Sequence, residues 1–283
     1  MNSDTSDPSA IDSQISTADQ ISYWQSISAD VDGMLGGFPQ VSRIDIQFSR
    51  NFIQKLRRLD NRSTRATSTS TSTSPIQNTA QAQSQSQSPT NTHTNTTYTF
   101  QHALEPGAGI GRVTLNLLAP LCAHIDIVEP IEKFTAVLTA PESPLVKNHQ
   151  LSRVWNLPLQ DWTPTLPPAY TANTTTSSPK YDLIFNQWCL NHLSFTSLVA
   201  YFKSLIPLLL PTGWIVVKEN LSSDAFGADI FDADDSSVTR SDANWRAAFT
   251  EAGLRLVKTD LQTGFPKELK LYPVRIYALR PVE

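Results

Sequence analysis

The sequence predicts an α/β fold: a doubly wound, mostly parallel sheet of seven strands, with an antiparallel strand near its end and a helical extension in front. Three observations predict it. From Tyr98 onward, short β-rich runs alternate with helical stretches, as parallel strands joined by helical crossovers do. The first run leads straight into the glycine-rich "EPGAGIGR". The last two runs, "LRLVKT" and "PVRIYALR", follow one another with no helix between, which suits an antiparallel pair added at a sheet edge.

Residues 1–18 are polar and are expected to be disordered. Residues 19–62 read as two helices, the second carrying Ile44, Phe48, Phe52 and Leu56 at steps of four, an apolar stripe that needs a body to pack on. Between them lies "DGMLGG", where Gly33, Gly36 and Gly37 permit positive φ or close approach of another backbone. Residues 63–97 are nearly all Ser, Thr, Gln, Asn and Ala, with too few large apolar groups to offset the entropy of ordering, and read as a disordered insertion. A shorter polar loop covers 171–180.

The main domain is then 98–283. Its strands are "TFQHAL", "HIDIV", "SRVWNL", "YDLIF" and "GWIVVK", with helices "GRVTLNLLAPL", "PIEKFTAVLT" and "TSLVAYFKSLIPLL" between them and "ANWRAAFTEAG" before the final pair.

A net charge of −4 gives no basic footprint and argues against direct nucleic-acid binding. The acidic start lacks the basic and apolar regions of a secretory signal. The most apolar stretch, "LVAYFKSLIPLLLPTGWIVV", is interrupted by Lys203, Pro207 and Pro211, so no membrane span is expected. Cys122 and Cys189 have neither disulfide nor zinc spacing and read as buried thiols in a reducing compartment, the cytoplasm with the nucleus as a second location.

In "EPGAGIGR", Gly107, Gly109 and Gly111 let the backbone turn tightly against a ligand at a helix N-terminus. Glu129 ends the second strand, where a carboxylate can accept both hydroxyls of a ribose. The spacing is Gly-x-Gly-x-Gly with Arg112 next, whereas a dinucleotide pyrophosphate calls for Gly-x-Gly-x-x-Gly. The motif therefore favours S-adenosylmethionine, whose amino-acid end wants carboxylate and backbone partners. A second feature is "FDADDSSVTR", which places Asp232, Asp234 and Asp235 together, ready for a cation or, equally, to cap the helix that follows.

With "YWQSISADVDGMLGGFPQVSRIDI", "GAGIGRVT", "LQDWTP", "NQWCLNHL", "VVKEN", "DADDSSVTR" and "ALR" in this order, the chain resembles the protein N-terminal (α-amino) methyltransferases that act on X-Pro-Lys termini, over about Tyr23 to Arg280. The resemblance implies a Rossmann-like methyltransferase fold, S-adenosylmethionine as cofactor, and protein N-termini beginning X-Pro-Lys or X-Pro-Arg as partners, such as those of ribosomal proteins. It implies cofactor contacts at Gly107, Gly109, Arg112, Glu129, Leu159, Gln160 and Gln187. It implies catalytic roles for Asp235, His192 and Asn220, and substrate contacts at Trp188, Asp232, Ser237, Leu35, Gly36, Val41, Leu271 and Tyr272. In this reading "DGMLGG" is a lid, and the three Asp side chains face the α-ammonium and the third-position lysine of the substrate. Two other readings keep the fold: methylation of a small-molecule amine or acid, and a non-catalytic binding protein. Taken singly, His192 and Trp188 also suit a core, and Asn220 a turn.

Overall fold

The computed structural model describes residues 8–68, 98–172 and 180–282. The proposed insertion at 63–97 therefore lies largely outside the described residues, as does most of the 171–180 loop.

The chain opens with three helices, α1 (Pro8–Asp12), α2 (Thr17–Ser26) and α3 (Val31–Met34), followed by the long α4 (Ser42–Ser68). Two sequence boundaries need correcting here. Residues 8–18 are ordered, not disordered, because Asp12 and Ser16 find partners on the body of the protein. Helix α4 also runs past residue 62, since Ser and Thr are tolerated in helices where no Gly or Pro intervenes.

The main sheet has eight strands: β1 (Phe100–Pro106), β2 (Cys122–Val128), β3 (Leu151–Trp155), β4 (Tyr170–Thr171), β5 (Tyr181–Gln187), β6 (Leu209–Asn220), β9 (Leu254–Leu261) and β10 (Val274–Pro281). A separate hairpin joins β7 (Ile230–Asp232) to β8 (Ser237–Thr239). The order in the sheet is β4-β3-β2-β1-β5-β6-β10-β9. Seven of these strands are the expected ones, and the eighth, β4, is a two-residue antiparallel edge on β3. Strand β10 is inserted antiparallel between β6 and β9, as the helix-free connection predicts.

Helices α5 (Glu132–Thr139), α6 (Pro144–Lys147), α7 (Phe195–Leu205) and α8 (Asp242–Glu251) complete the fold. Two apolar clusters sandwich the sheet. One packs Phe202, Trp245 and Phe249 on one face; the other packs Leu117, Leu138 and Leu56 on the opposite face. The strands are consequently apolar on both sides, as a doubly covered sheet requires. The segment after the glycine loop is a five-residue π-helical turn, Thr114–Leu118, where the sequence predicts a longer amphipathic helix.

The stripe on α4 is only partly the expected one. Phe52 and Leu56 are buried, but over its first two turns the helix buries Asp45 and Ser49, with Ile44 and Phe48 only half-buried. The reason lies on β6: the fully buried Lys218 ammonium donates to the Asp45 carboxylate and to Ser49 Oγ (2.9 Å). Arg112 adds a second ion pair to Asp45 at 2.7 Å, and Gln187 a hydrogen bond at 2.9 Å. Burial pushes the Asp45 carboxyl up, but Lys218 and Arg112 outweigh it and hold the group below the usual carboxylate range. Lys218→Ala would leave a buried carboxylate only half compensated, and is expected to lower stability by about 3–5 kcal/mol. Urea denaturation checks this; a loss under about 1 kcal/mol would mean that the cluster is replaceable by packing.

Candidate active site

Open parallel sheets gather ligands at the carboxyl ends of their strands, and here five such ends converge. The glycine loop follows β1, Glu129 follows β2, Leu159 and Gln160 follow β3, Trp188 and His192 follow β5, and Asn220 ends β6. They surround two cavities that share a wall. Gly107, Gly109, Arg112, Glu129, Leu159, Gln160 and Gln187 all line the inner one. Leu35, Gly36, Val41, Asn220, Asp232, Asp235, Ser237, Leu271 and Tyr272 line the outer one. Trp188, His192, Trp24 and Met34 border both. The outer cavity, at about 390 Å³, is larger than the inner at about 130 Å³, so it has room for an extended segment beyond a single reacting group.

The inner cavity is built to meet a cation. Gly107 and Gly109 have φ of +66° and +56°, and a Cβ on Gly107 would lie 2.3 Å from Cys189 Cβ, so this backbone can pass here only as glycine. The Gly109 N–H donates to Glu129 Oε2 at 2.8 Å and the Ile131 N–H to Oε1 at 3.0 Å, aiming the Glu129 carboxylate at the loop. Beside it, Glu105 Oε2 and Gln187 Oε1 are buried acceptors with no hydrogen-bond partner among the described residues. Orphaned acceptors in a cavity wall call for a donor from a ligand or from solvent. Burial pushes Glu105 up to about 8, against the pull of Thr114 and Arg112, and pushes Glu129 up to about 7. A donor-rich, positively charged amino-acid end with a ribose attached fits this set, which is the shape of S-adenosylmethionine.

A proton-linked affinity follows. At pH 7 both carboxyls hold part of a proton, and a bound cation favours their ionised forms, so binding must release protons. Affinity for S-adenosylmethionine is expected to rise from about pH 6 through about 8 and to level off only above the raised Glu105 value. Titration calorimetry in buffers of different ionisation enthalpy measures the proton count; an unchanged heat across buffers would remove this linkage.

In the outer cavity, the "DADDSS" segment is the turn of the β7–β8 hairpin, not a helix cap. Helix α8 is capped instead by the Ser241 side chain. Asp235 is half-buried; burial raises its pKa, while Ser237 and then His192 pull it down. Asp232 is exposed, and its Oδ1 accepts the Asp234 N–H at 2.9 Å. Asp234 lines neither cavity, so only two of the three carboxylates face the site. His192 Nε2 accepts the Trp24 indole N–H at 3.1 Å, and its pKa is lowered by burial against the opposing pull of Asp235. The imidazole is thus neutral, with its proton on Nδ1. Trp188 holds a left-handed φ of +53°, with its N–H bonded to the Lys218 carbonyl at 3.1 Å and the Arg112 guanidinium over its ring at 5.2 Å.

Several lining residues escape the sequence reading: Gln20, Tyr23, Trp24, Met34, Phe38, Glu219 and Phe265. Glu219 is buried and pushed up to about 7; its Oε1 takes the Cys189 and Leu190 N–H groups, both at 2.9 Å, while Oε2 has no partner among the described residues. Met34 is central, because its sulfur lies over the glycine loop, 2.7 Å from where a Cβ on Gly109 would sit. The segment leading into "DGMLGG" is tied down by Lys133 Nζ, which donates to the Gln25 and Ile27 carbonyls at 2.5 Å. Tyr23, Trp24 and Met34 lie within the stretches that carry the family resemblance, as Glu219 does in "VVKEN"; that is the signal which could have found them.

A model of the family described as AdoMet dependent proline di-methyltransferase matches residues 12–74 and 83–280. The chain is 35% identical over 266 residues to the alpha N-terminal protein methyltransferase 1 of Schizosaccharomyces pombe, covering 93% of this chain and 95% of that one. It is 32% identical to the N-terminal Xaa-Pro-Lys N-methyltransferase 1 of Xenopus tropicalis, covering 91% and 92%. Among solved structures, a SAM-dependent methyltransferase of Leishmania major superposes with a TM-score of 0.64 at 28% identity, over 99% of this chain and 87% of that one. With these matches over a site so arranged, the chain belongs to the AdoMet-dependent proline di-methyltransferase family.

Proposed function

We propose that this enzyme methylates the free α-amino group of protein N-termini beginning X-Pro-Lys or X-Pro-Arg. The observation that carries this reading is the shared wall. A cavity suited to a cationic nucleotide-like cofactor opens, past Trp188 and His192, into a longer one that carries the Asp232 and Asp235 carboxylates. When bound, S-adenosylmethionine supplies an electrophilic methyl group on its sulfonium.

The chain's own residues prepare the amine. An α-amine has a pKa of about 7.7–8.0, so its lone pair must be freed by an acceptor in place. Asp235 would take that proton first, leaving the nitrogen lone pair free to meet the methyl group that the cofactor supplies. His192 is the weaker candidate, because its acceptor nitrogen is already engaged by Trp24. The Asn220 amide oxygen orients the nitrogen. Trp188 offers a flat face to the second-position proline ring. Asp232 holds the third-position cation, with the Ser237 hydroxyl beside Asp235 steadying the pair.

Initial rates on a peptide series, read by mass spectrometry, test this. An acetylated X-Pro-Lys peptide should be inert, because it has no nucleophile. Changing the third lysine to glutamate should cost about 100-fold in kcat/KM through like-charge contact with Asp232, and glutamine should cost less. Equal rates for lysine and glutamate would detach Asp232 from the substrate's third residue.

A further inference from the structure

The residues ahead of the lid grip two separate parts of the site. The Asp12 carboxylate accepts the Phe195 N–H and pairs with the buried Arg240 guanidinium at 3.0 Å, and Arg240 also donates to the Leu193 carbonyl at 2.6 Å. Four residues on, the Ser16 N–H donates to the Ser236 hydroxyl at 2.8 Å. One helical turn further, Gln20 is 5% exposed, and its Nε2 donates to two carbonyls at once, His192 and Ser236, both at 2.9 Å.

His192 belongs to the turn after β5 and Ser236 to the β7–β8 turn, so this single amide bridges segments that the sheet does not join. The bridge is also directional. Trp24 lies four residues beyond Gln20 on the same face of α2, and its indole N–H holds the His192 ring while Gln20 holds the His192 carbonyl. On the other side, Ser236 sits at φ +54°, a left-handed turn directly after Asp235 that has no reason to persist unless its neighbours fix it.

We propose that Gln20 is a positioning residue: through its paired hydrogen bonds it sets the spacing and orientation of the His192 imidazole against the Asp235 carboxylate, and so the geometry in which the substrate amine loses its proton. This rests on the function proposed above, and it goes beyond that reading by making the residues before the lid part of the catalytic geometry. Gln20 touches neither reacting atom. It acts through the two backbones it clamps, in a region where displacement of about 1 Å can cost up to about 100-fold in rate.

The test compares the full-length wild type with Gln20→Met, which keeps the volume and removes both donors. On an X-Pro-Lys peptide at saturating S-adenosylmethionine, kcat should fall about tenfold. Independently of any activity, an NMR titration of the His192 ring should move upward, toward an ordinary histidine, as the clamped turn opens to solvent and the imidazole leaves its buried setting. Asp235 is the charged group acting on His192, so the same comparison is repeated in the Asp235→Asn background as a control. If Gln20→Met fails to fold, Gln20→Asn, which keeps the amide but shortens its reach to the two carbonyls, carries the same comparison. A moved His192 titration supports the inference even if no peptide is methylated, in which case it is the functional reading that fails. An unmoved titration in a folded variant overturns it, whatever happens to the rate.

Discussion

Asp235→Asn is expected to lower kcat by about three orders of magnitude, within the range of about 10²–10⁴-fold for losing a positioned proton acceptor. The substitution keeps the shape of the side chain and removes both its charge and its basicity. Asp235 lines only the outer cavity, so the affinity for S-adenosylmethionine should be almost unchanged. The pH profile separates this from a general weakening. Burial raises the Asp235 pKa, so the wild-type acid limb of kcat/KM should begin at higher pH than for an ordinary carboxylate. Activity requires the deprotonated form and is lost as pH falls through the raised value. The Asn variant should lose that limb. Wild-type activity in Asp235→Asn across neutral pH would remove this carboxylate from the mechanism.

Gly109→Val should abolish cofactor binding, a loss of about 1000-fold or more, equivalent to about 4 kcal/mol. Two effects combine. At φ +56° a β-branched residue is strained, and its Cβ would lie 2.7 Å from the Met34 sulfur that closes over the loop. Relieving either contact moves the N–H that holds Glu129 at 2.8 Å, so the carboxylate loses its aim together with the loop. Calorimetry with S-adenosylmethionine gives the readout. Retention of micromolar affinity would show that the loop can give way without losing the ligand.

The sheet was legible because alternating β-rich and helical runs are a local property of the chain, and so was the β10–β9 pairing, which needs only the absence of a crossover helix. The edge strand β4 was not, since two residues, Tyr170 and Thr171, leave no periodicity to read. The "DADDSSVTR" segment was read as a cation site or a helix cap, and its place in a hairpin was not legible for a similar reason. Three-residue strands leave no period, and only the pairing with Ile230–Asp232 reveals them. Asp45 was hidden inside an apolar stripe, because the partner that buries it, Lys218, is 173 residues away. In the site, the side chains that line the cavities could be named from motifs, but their hydrogen bonds could not. That Trp24 occupies the His192 acceptor nitrogen, or that Asp234 turns away while Asp232 and Asp235 remain, depends on how distant segments meet.

The place of β10 between β6 and β9 bears on how the protein is made. Strand β6 delivers Lys218, Glu219 and Asn220 to the site, yet its outer edge is open until residues 274–281 arrive to pair with it. Ile276, Tyr277, Ala278 and Leu279 are all fully buried, so a chain still being synthesised exposes both the hydrogen-bonding edge of β6 and the apolar surface that these residues will cover. Such an intermediate is sticky and carries a half-formed site. The sheet beside Lys218, Glu219 and Asn220 is therefore complete only once β10 has left the ribosome, and a nascent chain halted before Val274 should need chaperone cover while it waits.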